Sequence, residues 1–112
     1  MKEVQKPWGK EKHFSKNEKS TVKILEVNPH QKLSLQKHKK RRELWYFLTN
    51  GYVQLSKNGK ERHIRKNKIV NIPKGRAHRL LSKNKKVKVL EISYGKFEQN
   101  DEIRLEDKYG RG

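Results

Sequence analysis

Short apolar runs separated by turn-forming residues dominate the sequence. β-Branched and aromatic residues concentrate in these runs, and the 3.6-residue period of an amphipathic helix is weak throughout. The runs cover residues 21–27, 33–38, 44–49, 52–57, 69–72, 77–82 and 87–94. Turn-forming pairs such as Asn28-Pro29 and Asn50-Gly51 follow several of them. Regularly spaced short strands with tight turns predict an all-β sandwich or barrel.

Two local features extend this prediction. The pair Asn58-Gly59 suits the positive φ angles of a type I′ turn, so residues 52–57 and 60–65 are expected to pair as an antiparallel hairpin. The segment from Lys96 to Gly112 is charged and lacks strand character. We expect this segment to form a C-terminal tail or lid, with one helical turn near residues 101–105.

Length and composition limit the classes of protein to consider. A chain of 112 residues suits one domain, and its hydrophobic fraction of 30% allows only a small core. The absence of cysteine excludes disulfides and thiolate zinc sites. No apolar stretch approaches the ~20 residues that span a bilayer. The first residues also lack the apolar segment of a signal peptide, so a cytoplasmic location without membrane association is expected.

The balance of charge points to an anionic partner. Lys and Arg number 30 against 12 Asp and Glu, which gives a formal charge of +18. The resulting field attracts anions such as nucleic acids, anionic lipids and phosphorylated metabolites. A lysine-rich solvated surface is the alternative interpretation. The one dense basic run, residues 37–42, contains His38 and ends at Glu43, which is more typical of the rim of a site than of a nucleic-acid tail.

Four side chains form a candidate metal site. Gln36 and His38 are two residues apart on a predicted strand and so point to the same face. Glu43 opens the next apolar run, and His78 follows a Pro-x-Gly turn. Two nitrogens and two oxygens are a suitable ligand set for a borderline divalent cation. On spacing alone, however, these could also be ordinary surface residues.

The order of these residues resembles the two-part metal-binding signature of the cupin superfamily, whose fold is the double-stranded β-helix or jelly-roll barrel. Most cupins have His at the first ligand position. This chain has Gln36 there, and in this it resembles the phosphomannose isomerases. The closer resemblance is to the cupin domain of type II mannose-6-phosphate isomerases, often the C-terminal half of a bifunctional mannose-1-phosphate guanylyltransferase/phosphomannose isomerase. The matching segments are Pro7-Trp8-Gly9, 33–45 (LSLQKHKKRRELW), 72–80 (IPKGRAHRL) and 104–111 (RLEDKYGR).

The sequence departs from the family pattern at several positions. Leu44 stands beside Glu43 where the family usually has His, which removes a contact that could reach the ligands or the substrate. Lys39 and Lys40 stand where further histidines are common, and Ser93 stands where Gln is common. Nothing in the sequence suggests guanylyltransferase activity.

The resemblance implies a metal-dependent isomerase that interconverts mannose-6-phosphate and fructose-6-phosphate. It implies a divalent metal, zinc first and Mn, Fe, Co or Ni as alternatives, held by the four residues named above. A homodimer is the family expectation. The phosphate requires a cationic anchor, and Arg offers a planar fork for it. The substrate-binding candidates are Arg41, Arg79 and Tyr109, and the catalytic candidates are Arg111, Asp107 and Lys74.

Two other functions remain open at the level of sequence. One is a non-catalytic cupin that binds a sugar, a metal or a partner, consistent with Leu44. The other is a basic β-barrel that binds nucleic acid through its +18 charge. The metal ligands argue against the second alternative, and turnover of a sugar phosphate would distinguish the isomerase from the first.

Overall fold

The predicted apolar runs form strands, and polar segments at both ends of the chain add three more. The computed structural model describes residues 1–96 and 98–108. The strands are β1 (Lys2–Lys6), β2 (Gly9–His13), β3 (Ser20–Val27), β4 (Leu35–His38), β5 (Arg42–Phe47), β6 (Gly51–Gln54), β7 (Arg62–Ile64), β8 (Ile69–Ile72), β9 (Arg79–Leu81), β10 (Val87–Tyr94) and β11 (Glu102–Glu106). The prediction of an all-β fold is therefore confirmed.

The first sheet contains four antiparallel strands in the order β3-β10-β5-β8. Its register pairs Glu43 with Ser93 and Phe47 with Val89. Because side chains alternate along a strand, Glu43, Trp45 and Phe47 of β5 share the inner face of the sheet. The residues between them point to the outer face.

The second sheet is built around β6, which pairs with β7 on one side and β9 on the other. Two isolated bridges, Lys32↔Leu81 and Gln36↔His78, join the β9 side to the segment that contains β4. The strand β4 in turn pairs with β11. The resulting order is β7-β6-β9-β4-β11, which places the predicted ligand strand in the interior of the sheet.

The main hydrophobic core lies between the two sheets. It contains Val27, Trp45, Phe47, Val53, Ile72, Leu80, Val87 and Val89. A second cluster on the outer face of the first sheet contains Leu44, Ile92 and Tyr94, with Phe14 and Tyr46 packed against it. The only helical element of the described residues is the 3-10 turn Gln99–Asp101, and no helix there is long and apolar enough to cross a membrane.

The prediction for the Asn58-Gly59 turn is right about the pairing and wrong about the turn. β6 and β7 pair antiparallel, with Tyr52 opposite His63. Neither Asn58 nor Gly59 has a positive φ angle, so the turn is not type I′. The strands are shorter than predicted, and the Gln54 side chain donates to the carbonyls of residues 56 and 57 inside the longer connection. A longer connection, held by these side-chain hydrogen bonds, takes the place of the predicted two-residue turn.

The prediction for the C-terminal segment is also corrected. The helical turn ends at Asp101, and residues 102–106 form β11 instead of continuing it. Glu102 pairs with His38 and Arg104 with Gln36. The alternation of charged and apolar residues over 102–106 is itself a strand pattern, but it spans only five residues of a charged segment, and pairing with β4 decides the structure. A lid role for the segment stays a prediction, and residues 109–112 lie outside the described residues.

The hairpin of β1 and β2 was not anticipated from the sequence. Its strands are almost entirely polar, so the apolar alternation that marks a strand is absent. Pro7 and Trp8 form its tip, and Trp8 is 72% exposed. The first of the family-like motifs therefore lies at the end of a projecting hairpin.

We expect Gly51→Ala to destabilise the protein by about 1–3 kcal/mol, because the added β-carbon would clash with the packed side chains around residue 51. A β-carbon at Gly51 would lie 2.7 Å from Val87 Cγ1 and 2.8 Å from Phe47 Cε2. Both neighbours are buried and cannot move away. Urea unfolding measures the change. The same substitution in a Val87→Ala background should cost less, and an equal cost in both backgrounds would contradict this explanation.

Candidate metal centre

Backbone pairing brings three of the predicted ligands to one face of the second sheet. Gln36 and His78 form an antiparallel bridge, with N···O distances of 3.0 and 2.9 Å in the two directions. Directly opposed residues in such a pair carry their side chains on the same face. His38 lies two residues beyond Gln36 on β4 and therefore shares that face.

The turn before His78 is tied to the same strand. Arg76 N donates to Pro73 O at 3.2 Å, and Gly75 has a φ angle of +79°. A positive φ at the third residue is typical of a type II turn and favours glycine. Gly75 N also donates to His38 O at 2.7 Å, which fixes the turn against β4. The Pro-x-Gly motif thus sets the position from which His78 enters the site.

Glu43 completes the group from the opposite sheet. Its Oε2 accepts hydrogen bonds from Ser93 Oγ at 3.0 Å and from Arg41 Nε at 3.3 Å. Its Oε1 lies 3.1 Å from His78 Nε2 and 3.8 Å from His38 Nδ1. His38, Glu43 and His78 each offer one ligand atom, and these atoms lie within 4.8 Å of one another.

Several buried lone pairs of these side chains have no hydrogen-bond donor among the described residues, and a cation could bind them. His78 Nδ1 donates to Arg76 O at 2.7 Å, so Nε2 of the neutral ring carries its lone pair toward Glu43. Within the described part of the chain, Gln36 Oε1, Glu43 Oε1 and His78 Nε2 are buried without hydrogen-bond partners. Buried acceptors without partners are rare and costly. A divalent cation between Glu43 Oε1 and His78 Nε2 would satisfy both atoms, and Gln36 Oε1 lies on the same face of β4 as His38, so the residues present fit a metal.

Protonation also favours metal binding at neutral pH. Burial lowers the pKa of His38 to about 4, and the positive charge of Arg41 acts in the same direction. Burial alone would raise the pKa of Glu43, but hydrogen bonding and charge from His78 in its protonated form, together with the charges of His38 and Arg41, bring it down to about 2. A neutral imidazole and an ionised carboxylate are the forms that coordinate a metal.

Arg41 lies inside this group instead of at the rim. Its side chain is 5% exposed, and Nη2 lies 2.9 Å from His38 Nε2. Its Nη1 donates to Glu98 O at 3.3 Å. The guanidinium therefore contacts two predicted ligands, a position that the sequence did not indicate.

The other predicted residues lie elsewhere. The Arg79 guanidinium donates to Leu33 O at 3.0 Å and pairs with Glu106 at 3.3 Å, so it joins β9 to β11. Lys74 is exposed at the tip of the turn before His78, and Asp107 follows β11 and is half-buried. Their predicted roles in catalysis and phosphate binding remain predictions. Tyr109 and Arg111 lie outside the described residues.

Asp101 is a supporting residue that sequence reasoning missed. Its carboxylate accepts from Lys39 N at 3.0 Å and Lys40 N at 2.9 Å, in the loop that connects His38 to Glu43. Burial alone would raise the pKa of Asp101, but these backbone donors hold it below its usual value. Asp101 therefore holds the ligand loop in place from the C-terminal segment.

Glu91 is a second missed residue. It lies on the inner face of β10, is 8% exposed, and accepts a hydrogen bond from Trp45 Nε1 at 3.0 Å. Burial, together with the nearby charge of Glu43, raises the pKa of Glu91 to about 7. The Trp45 ring in turn packs edge-on against His78, with ring centroids 5.5 Å apart. The sequence did carry a signal for Glu91, because an acidic residue is uncommon inside an apolar strand.

Leu44 does not remove a contact from the site. It packs with Ile92 and Tyr94 on the outer face of the first sheet, opposite Glu43. A side chain at this position points away from the ligands. The substitution of the usual family His is therefore compatible with an intact site.

We expect Glu91→Gln to remove a pH dependence of stability. The folded state disfavours ionised Glu91 and the unfolded state does not, so wild-type stability should fall as pH rises from 4.5 to about 7 and then level off. At pH 8 the variant, which still accepts from Trp45, should be more stable by roughly 3 kcal/mol. Urea unfolding of chelator-treated protein at both pH values measures the difference.

Glu26→Gln is the matched control, because Glu26 is exposed and pairs only with a surface lysine among its described contacts. This control should leave the pH profile unchanged. Parallel profiles for wild type and Glu91→Gln would show that Glu91 is ionised in the folded protein.

Comparison with known proteins places this site in a family. The family described as "Mannose-6-phosphate isomerase C-terminal" matches residues 1–107. Mannose-1-phosphate guanylyltransferase ManC of Salmonella typhimurium is 34% identical over 112 residues, which cover 98% of this chain and 23% of that protein. The chain thus spans less than a quarter of the length of such relatives.

Solved structures identify the fold. The capsular polysaccharide assembling protein CapF of Staphylococcus aureus matches with a TM-score of 0.68 and 18% identity, over 80% of this chain and 29% of that one. A Klebsiella pneumoniae protein with a double-stranded β-helix domain matches with a TM-score of 0.63 and 16% identity, over 71% and 70% of the two chains. The chain has the cupin fold and belongs to the mannose-6-phosphate isomerase C-terminal family.

Proposed function

We propose that the chain is a metal-dependent sugar-phosphate isomerase that interconverts mannose-6-phosphate and fructose-6-phosphate. The observation that carries the proposal is the set of buried acceptors without partners contributed by Gln36, Glu43 and His78. A site that served only to stabilise the fold would be expected to satisfy these atoms internally. The family match supports the choice of substrate class.

The metal would be held by Gln36, His38, Glu43 and His78. Nitrogen and oxygen ligands of this kind suit zinc first, with Mn, Fe, Co and Ni as alternatives. When bound, the metal supplies a Lewis acid that polarises the sugar carbonyl and stabilises charge on its oxygen. Ser93 orients the Glu43 carboxylate by donating to its other oxygen.

The chain's remaining polar residues would bind and position the sugar phosphate. Arg41 offers a guanidinium directly beside the ligands. Lys74 adds an exposed cation on the turn that precedes His78. Arg79, Tyr109, Asp107 and Arg111 complete the proposed substrate-binding and catalytic set, with Arg111 on the segment proposed as a lid. The formal charge of +18 favours capture of a phosphorylated substrate.

A homodimer and a cytoplasmic location belong to the same proposal. The strand β3 lies at the edge of the first sheet, where Val22 is 57% and Ile24 is 60% exposed. Exposed apolar residues on an edge strand are typical of a surface that another chain covers. A second copy that packs on the outer face of the sheet at β3 would bury both side chains.

An isomerase assay tests the proposal. Chelator-treated protein should convert mannose-6-phosphate only after zinc or another divalent metal is restored. Glu43→Gln and His78→Ala should each reduce metal binding and turnover to background, because the first removes the charge of the carboxylate ligand and the second removes a ligand atom. His63→Ala is the matched control, since His63 is exposed on β7, and it should retain both properties.

The outcome also separates the alternatives. Bound metal and bound sugar phosphate without turnover under any metal would identify a non-catalytic cupin. Absence of metal and sugar binding, together with salt-sensitive binding to DNA or RNA, would identify a nucleic-acid-binding barrel.

A further inference from the structure

The position of Arg41 is unusual for a cation next to a metal site. Its guanidinium is buried, with Nη2 2.9 Å from His38 Nε2 and Nε 3.3 Å from Glu43 Oε2. It therefore bridges two of the four residues that we assign to the metal. Arginine has donors only, so His38 Nε2 must be the acceptor of this hydrogen bond.

This hydrogen bond is incompatible with a metal on His38, whichever ring nitrogen coordinates. A neutral imidazole has one nitrogen with a lone pair and one with a hydrogen. If Nε2 binds the metal, its lone pair is no longer available to Arg41. If Nδ1 binds the metal, Nε2 must carry the hydrogen, which would then face the Arg41 N–H. Either way, the contact between Arg41 and His38 must break.

Charge leads to the same conclusion. In a site of low dielectric constant, a divalent cation and a guanidinium that contact the same ligands repel each other strongly. The guanidinium also provides the buried Glu43 carboxylate with a counter-charge, through its outer oxygen Oε2. A metal bound through Oε1 would supply the same counter-charge, so Arg41 would no longer be needed there.

We propose that Arg41 is an internal cation that lies beside the metal position on His38 and the outer oxygen of Glu43, must release His38 when a metal binds there, and is thereby made available to an anionic group of the substrate. The backbone of its loop need not move, because Asp101 holds Lys39 N and Lys40 N. Only the side chain swings. A phosphate group suits the released guanidinium because it can accept two parallel hydrogen bonds.

Two consequences follow from this exchange. Metal affinity is reduced by the competition with Arg41. Metal and phosphorylated ligand then favour each other's binding, because each stabilises the arrangement in which Arg41 has left the ligands, and such coupling is reciprocal. This inference rests on the proposed metal site, so its test must distinguish the two failures.

Zinc affinity, measured by competition with a chromophoric chelator, tests the exchange in three proteins: wild type, Arg41→Leu and Arg42→Leu. Arg42 is the matched control because it is adjacent and equally charged, yet its guanidinium pairs with Glu18 at 3.0 Å and lies over the Tyr94 ring on the outer face. Arg41→Leu should bind zinc roughly tenfold or more tightly than Arg42→Leu. Equal or weaker binding by folded Arg41→Leu would overturn the exchange.

A second measurement uses the coupling. Mannose-6-phosphate, but not mannose at the same concentration, should tighten zinc binding by wild type and by Arg42→Leu, and this effect should be lost in Arg41→Leu. If Arg41→Leu does not fold, absence of coupling in wild type alone overturns the exchange. If none of the folded proteins binds zinc, the proposed metal site is wrong; if all bind it equally, only the displacement of Arg41 is wrong.

Discussion

The burial of one carboxylate, that of Glu43, is the constraint on which the site depends. An ionised carboxylate inside a small β-barrel is strongly disfavoured unless opposite charge and hydrogen bonds surround it. One of its oxygens accepts from Ser93 and Arg41, and the other faces the imidazoles without a hydrogen bond. The same charge helps to keep the nearby Glu91 protonated near neutral pH. Below about pH 7 the inner face of the first sheet therefore carries the charge of Glu43 without that of Glu91.

Strand pairing, more than loop structure, sets the geometry of this site. The register of β5 against β10 places Ser93 beside Glu43. The bridge between Gln36 and His78 brings an amide and an imidazole together across two segments of the second sheet. A shift of one residue in either pairing would turn the ligand to the other face of its sheet. The register that buries the core is thus the register that assembles the site.

The sequence predicted the elements whose apolar pattern is strong and missed those whose pattern is hidden by charge. Residues 69–72 and 87–94 form strands with the predicted bounds, because their β-branched residues signal burial directly. The N-terminal hairpin and β11 are polar at most positions, and tertiary pairing decides their structure. The same limit applies within the site. Same-face spacing predicted that Gln36 and His38 act together, whereas the inward direction of Arg41 depends on contacts with distant residues.

The pairing of β11 with β4 has a consequence for the order of events during synthesis. His38 and its partner Glu102 are separated by more than sixty residues. At a translation rate of roughly 5–20 residues per second, β4 has left the ribosome several seconds before β11 is made. During that interval the strand that carries two ligands presents an open edge, the kind of edge that captures strands from other chains. β11, which is made after the other described strands, therefore closes both this edge and the interval in which the edge is open to other chains.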